Sequence, residues 1–379
     1  MSDDGRLRFR IGMVGPSRVG KTSLITALLR DSQQLLQGTP VSMKPLGTPT
    51  ERRIAQHRRE LDGSLLAGEF TPGTLAGNQD DFTFHLLLDP GVPDAGIELQ
   101  LLDYPGGWLD PDRRLHHHNA DWERCRGFLR QSSVLIVPID AAVLMEPLVT
   151  SHLRAVPTIL TTDQVGATVR EWLKERNLRP DEPGLLLLCP VKCESYFADN
   201  GGRRDESEKL LAMVRRVYAE TIEAVPQEAP HVRTVYCPVD TIGCVEILRA
   251  DWAPDPREPG QWAFTAHYGV RQPGRQLIKG ANDVLGALCR HLVGARHQVE
   301  EQSATSKQSE AEQARAFADR KEGFFRNIWL VLNGERQLRR DAASGIEQEA
   351  VGAAARVAAL TRIVEDLARR ESGDRVRQW

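Results

Sequence analysis

Gly15-Pro16-Ser17-Arg18-Val19-Gly20-Lys21-Thr22 completes the pattern G-x-x-x-x-G-K-[ST], and its reading decides the fold. Glycines let the backbone curl so that successive N–H groups point inward at phosphate oxygens. The lysine reaches the β- and γ-phosphates, and the hydroxyl after it can hold Mg²⁺. The flanks follow the required order. Residues 7–14 read as a strand entering the loop, and residues 23–29 as an apolar helix whose positive N-terminal end would face the phosphates. This strand–loop–helix unit predicts an α/β P-loop NTPase fold: a doubly wound, mainly parallel sheet with helices on both faces and insertions. Gly15, Ser17, Arg18, Val19, Gly20, Lys21, Thr22 and Ser23 are the expected nucleotide-binding residues of the loop.

A second anchor is Ile97-Glu98-Leu99-Gln100-Leu101-Leu102-Asp103-Tyr104-Pro105-Gly106, an apolar run that ends in D-x-x-G. It predicts another core strand beside the loop. Asp103 would hold Mg²⁺ through a water, and the Gly106 N–H would bond the γ-phosphate and sense its presence. Between the anchors, residues 48–65 are rich in Arg and lead into Phe70-Thr71-Pro72-Gly73-Thr74. The first switch is expected here, with a threonine completing the Mg²⁺ shell. Thr74, preceded by glycine, is preferred to Thr71. The expected metal set is therefore Thr22, Asp103 and Thr74, and the expected catalytic set Lys21, Thr74 and Gly106. Residues 81–88 read as a strand that turns back into the Asp103 strand as a hairpin.

Ser17-Arg18 in the loop, then Asp103-Tyr104-Pro105-Gly106 and Trp108-Leu109, resemble the YcjX-like family of bacterial P-loop NTPases. More broadly they are similar to the TRAFAC-like GTPases encoded in bacterial conflict and stress-response gene clusters. The resemblance covers about the first third of the chain. The family pattern carries an acidic residue after the Pro-Gly pair, where this chain has Gly107. In small Ras-like GTPases that place is commonly a glutamine that orients the attacking water. Glycine has no side chain for the task, so hydrolysis is expected to be slow, to use another group, or to depend on a partner. Asp110, Asp112, Arg113, Arg114 and His116-His117-His118 lie nearby without an assignable role, the three histidines reading as a solvated loop rather than a metal site.

Base recognition is expected after the buried-strand candidate Leu185-Leu186-Leu187-Leu188-Cys189-Pro190. Lys192 and Glu194 keep the spacing of [NT]-K-x-D, with Glu for Asp and Val191 for the amide. Lysine packing over the base and a carboxylate accepting from it point to guanine, hence GTP and GDP with Mg²⁺; adenine remains the alternative. Cys237-Pro238-Val239, after a further strand, takes the place of the last base-contacting loop without matching its letters.

The 379 residues can bury a sizeable core, and a net charge of −3 gives no bulk drive toward nucleic acid. No apolar stretch approaches a bilayer-spanning length, and Met1-Ser2-Asp3-Asp4 lacks the apolar core of a signal peptide. The six cysteines form no C-x-x-C pair, and a reduced cytoplasmic protein is expected. Residues 1–297 are expected to form the G domain and residues 298–379 a helical C-terminal extension. Crossover helices are expected near 161–174 and 206–223, and a closing helix over 277–296. Residues 251–276, with Trp252, Trp262, Phe264 and Tyr268 among prolines, read as an irregular insertion pinned by its aromatics, or as a partner-binding patch, with packing preferred. Residues 324–332 and 345–370 offer apolar positions for a helical hairpin or for a protein partner, with membrane contact less favoured.

Two function classes follow. One is a regulatory GTPase that binds and slowly hydrolyses GTP and moves its switches to change a protein partner. The other is a nucleotide-stabilised scaffold with negligible turnover, favoured by Gly107 and the long tail. The degenerate base-reading loop keeps an ATPase as a third option.

Overall fold

The computed structural model describes residues 7–72, 80–91, 96–112, 114–200, 205–256, 258, 260–271, 277–305, 348–370 and 372–379. The chain opens with β1 (Leu7–Met13), turns through the glycine-rich loop into α1 (Lys21–Leu35), and continues through β2 (Ser42–Pro45), α2 (Thr48–Leu66) and β3 (Glu69–Phe70). A hairpin of β4 (Phe82–Asp89) and β5 (Ile97–Asp103) is followed by a 3-10 turn at Gly106–Leu109. Then come α3 (Asn119–Gln131), β6 (Val134–Asp140), α4 (Ala141–Met145), α5 (Thr150–Ile159), α6 (Thr162–Asn177) and β7 (Gly184–Val191). The remainder is α7 (Ser207–Val217), α8 (Ala219–Glu228), β8 (Val232–Tyr236), β9 (Val245–Pro254), β10 (Trp262–Val270), α9 (Ala281–Thr305), α10 (Gln348–Arg369) and β11 (Arg377–Gln378).

The fold is α/β. Among the described residues, eight strands form one mixed sheet in the order β11-β8-β7-β6-β1-β5-β4-β2. The centre is parallel: β1 pairs with β5 on one side and β6 on the other, and β6, β7 and β8 continue in the same sense. The edges are antiparallel, with β4 and β2 at one side and β11 at the other. Every residue of β7 is buried, as expected of a strand covered on both faces. Leu185, Leu187, Cys189 and Val191 face the layer that includes α1, α9 and residues 360–367 of α10. Leu186 and Leu188 face the opposite layer, which includes α3, α6, α7 and α8. Each fully buried leucine stabilises this arrangement by roughly 1.5–3 kcal/mol.

Two expectations change. Residues 251–276 are not an irregular insertion in their first part: β9 and β10 form an antiparallel hairpin, joined by β3 into a second sheet of order β3-β10-β9. The aromatics pack inward, as Trp252 stacks on His152 at 4.6 Å and donates from Nε1 to the Glu146 carbonyl at 3.0 Å, while Trp262 meets the His152 ring edge-on at 4.7 Å. The stretch expected as one helix over 206–223 is two, broken at Tyr218 (φ −108°, ψ 21°).

The expected domain boundary at residue 297 falls inside α9. Beyond it, α10 packs along α9 through Leu360, Val364 and Leu367, and the chain end returns to the main sheet as β11. Residues 324–332 lie outside the described residues. Among the described residues, no helix is long and apolar enough to cross a membrane.

Candidate functional site

The loop between β1 and α1 is held by its own backbone. Gly20 adopts φ 111°, a conformation that only glycine takes without strain. Arg18 is also left-handed at φ 62°. Gly15 lies so close to β6 that a Cβ would come 3.2 Å from the Pro138 carbonyl oxygen. Lys21 is buried, its Nζ donating to the carbonyls of Gly15 (3.0 Å) and Pro16 (3.1 Å) and lying 5.1 Å from the Tyr104 ring centroid. Burial lowers the Lys21 pKa, with the Asp103 charge acting against it. No side chain caps α1, and its first turn carries no acid. That combination leaves a helix N-terminus suited to an anion.

The end of β5 meets this loop directly. Thr22 Oγ1 donates to Asp103 Oδ2 at 2.5 Å, and Asp103 is fully buried. A hydroxyl and a carboxylate side by side form the hard oxygen set that suits Mg²⁺. Gly106 presses on the loop: a Cβ there would lie 2.0 Å from Ser17 N and 2.2 Å from the Pro16 carbonyl carbon. Any side chain at residue 106 would displace the loop backbone. Gly107 differs, since a Cβ would only touch Ser17 Oγ at 3.9 Å. Its missing side chain is therefore not imposed by crowding.

On the other side stand the loops after β7 and β8. Lys192, left-handed at φ 60°, pairs with Asp140 and donates to the Arg18 carbonyl at 3.3 Å, tying this side to the glycine-rich loop. Glu194 is fully buried and accepts from the amides of Ile242 (2.7 Å) and Gly243 (2.8 Å). Burial pushes the Glu194 carboxyl up to about 7, the Asp240 charge adds to the rise, and the backbone amides oppose it. Asp240, also fully buried, accepts from Asn200 (2.7 Å) and from Arg375 (3.0 Å), a residue near the chain end. Arg375 also pairs with Asp199 and lies 3.9 Å over the Phe197 ring.

A cleft of about 540 Å³ runs between these elements. Of the expected residues, Ser17, Arg18, Gly20, Lys21, Thr22, Ser23, Asp103, Gly106 and Lys192 line it. Gly15 and Val19 support the loop from outside the lining, Val19 in the core. Glu194 also lies outside the lining, behind the wall made by Thr241 and Ile242. Those two take the position expected of Cys237-Pro238-Val239, whose cysteine and valine are in the core. Thr74 lies outside the described residues. Thr71 shares a 3.2 Å hydrogen bond with His267. His118 packs over Trp108 at 4.9 Å and faces Asp121 at 3.5 Å.

The residues missed by sequence reasoning come mainly from α2, which occupies the stretch expected to hold the first switch. Arg53, Gln56, His57 and Glu60 line the cleft, and their spacing puts them on one helix face. His57 Nε2 is 3.2 Å from Ser23 Oγ. Burial lowers the His57 pKa, with Glu60 and Asp103 opposing and Arg53 reinforcing the drop, which favours the neutral ring. The signal was present as polar residues at i, i+3, i+4 and i+7 within the Arg-rich stretch. Asp80 and Asp81 also line the cleft, and nothing in their spacing marked them.

No protein-family model matches the chain, and no curated protein is similar to it.

Proposed function

We propose that the protein is a Mg²⁺-dependent P-loop GTPase that acts as a nucleotide-controlled switch. The observation carrying this reading is the meeting, at one cleft, of Lys21, the Thr22–Asp103 pair and the close approach of Gly106 to Ser17. Strand order supports it too, because β1 and β5 are parallel neighbours and deliver the two motifs to the same end of the sheet, at their carboxyl ends. The YcjX-like resemblance points the same way.

In this reading the loop amides and Lys21 hold the triphosphate and offset charge growing on the transferring phosphate. Thr22 and Asp103 would hold Mg²⁺, which supplies charge neutralisation at the β- and γ-phosphates. Gly106 senses the γ-phosphate through its N–H, and its contact with the loop couples that signal to the 3-10 turn at Gly106–Leu109. Lys192 packs over a guanine, with Thr241 and Ile242 as the base-side wall.

A second reading, an ATPase, is favoured by one observation: the Glu194 carboxylate is engaged by the Ile242 and Gly243 amides rather than lining the cleft. Single-turnover phosphate release from GTP and from ATP with Mg²⁺ tests both. Release from GTP at the higher kcat/KM supports the GTPase; faster release from ATP supports the second reading; release from neither contradicts both.

A further inference from the structure

Gly107 follows the cleft-lining Gly106, and a polar face of α2 lines the same cleft. Helix α2 buries Thr50, Ile54, His57, Leu61 and Leu65 in a single stripe. Leu61 and Leu65 lock into the second sheet against Phe70, Ala266 and Tyr268, while Ile54 joins the main core. The helix is therefore anchored on both sides of residue 57. A histidine in such a stripe is ordinarily a core residue. Here its ring lines the cleft and meets Ser23, the neighbour of Thr22, and Arg53 lies one turn before it on the same face.

We infer that α2 supplies in the same chain the side chain that residue 107 lacks, with His57 as the catalytic residue that orients and deprotonates the attacking water. The inference rests on the nucleotide-hydrolase reading above. The water oxygen bonds to the γ-phosphorus as the bond from that phosphorus to the β–γ bridging oxygen breaks. The bridging electron pair leaves on the nucleoside diphosphate. One water proton passes to a ring nitrogen of His57 and from there to solvent, giving diphosphate, inorganic phosphate and a proton. Arg53 places a positive charge beside the leaving phosphate, as an arginine supplied in cis does.

The test compares the full-length protein with His57→Ala, His57→Gln and the double variant His57→Ala/Gly107→Gln, with Lys21→Ala as the binding control. Arg52→Ala and Arg59→Ala, at exposed positions of α2 outside the cleft lining, control for the helix. Single-turnover hydrolysis, GTP affinity by titration, and trapping of GDP by aluminium fluoride are measured on each. His57→Ala is expected to slow hydrolysis by about 100-fold, to leave GTP affinity within about threefold, and to abolish fluoride trapping. His57→Gln and the double variant should recover part of the rate, since room exists for a side chain at residue 107. Wild-type turnover in His57→Ala, or equal losses of affinity and rate, overturns the inference and leaves the hydrolase reading standing. A wild-type chain that binds nucleotide through Lys21 yet releases no phosphate overturns this inference and the hydrolase reading but not nucleotide binding. A wild-type chain that binds no nucleotide overturns all three.

Discussion

The two halves of the cleft are built differently. The half proposed to hold phosphates comes from two contiguous segments: Gly15–Thr22 turns on itself, and Asp103 and Gly106 arrive at the end of the strand next door and in the turn after it. The half proposed to hold the base is gathered from across the chain. Lys192 bonds back to Arg18, Glu194 holds the amides of Ile242 and Gly243, and Asp240 is neutralised by Arg375 from the chain end. The first half rests on two contiguous motifs and is polar largely through its backbone. The second depends on buried charges whose partners are distant, so it should be the more sensitive to folding, pH and truncation.

The sharpest break in the phosphate half is Lys21→Ala. Its loss should lower nucleotide affinity by more than about 100-fold, because a point charge on the β- and γ-phosphates goes with it; affinity unchanged in a titration would remove the site. In the base half, Arg375→Ala strands the buried Asp240 carboxylate. Removing one partner of a buried pair costs about 3–5 kcal/mol, so the Tm should fall by several degrees in calorimetry. An unaltered Tm would detach the chain end from this wall.

A smaller contrast separates the adjacent glycines. Gly106→Ala forces a Cβ onto the Pro16–Ser17 backbone and should weaken triphosphate binding by about tenfold, roughly 1.4 kcal/mol. Gly107→Ala meets only ordinary contact and should bind like the wild type. Equal effects would mean that the close approach at Gly106 does not shape the site.

A last effect is in pH. Glu194 is raised in the folded state from 4.5 to about 7, chiefly by burial, so the folded protein binds a proton that the unfolded chain has released. Stability is then greatest below the unfolded value of 4.5 for this group and declines as pH rises from 4.5 through about 7. Glu194→Gln should flatten that slope and gain stability relative to wild type at pH 8, as read by denaturant midpoints. An unchanged slope would contradict a buried, protonating carboxyl at residue 194.

The same division governs what was legible in the sequence. The Gly15–Thr22 loop and the Asp103 strand were readable because each signal is contiguous, and the central strands because parallel strands covered on both faces are unbroken apolar runs. Helix α2 was hidden because its buried stripe includes Thr50 and His57 beside only three aliphatic residues, in an Arg-rich stretch. The hairpin β9–β10 was masked by prolines and by a register shift between His267 and Tyr268. The Arg375–Asp240 pair joins residues 135 positions apart, a contact that no local pattern encodes. Glu194 kept the spacing of a base reader, yet its carboxylate is bound to the backbone because Thr241 and Ile242 stand between it and the cleft.

The central claim is that this cleft is a nucleotide site with guanine on its base side. Calorimetric titration of the nucleotide-free chain with GTP, GDP and a non-hydrolysable ATP analogue in Mg²⁺ tests it most directly. The account predicts saturable one-to-one binding of GTP and GDP, at least tenfold tighter than the ATP analogue. Heat from none of the three would contradict the site itself, and equal or tighter binding of the ATP analogue would contradict its assignment to guanine.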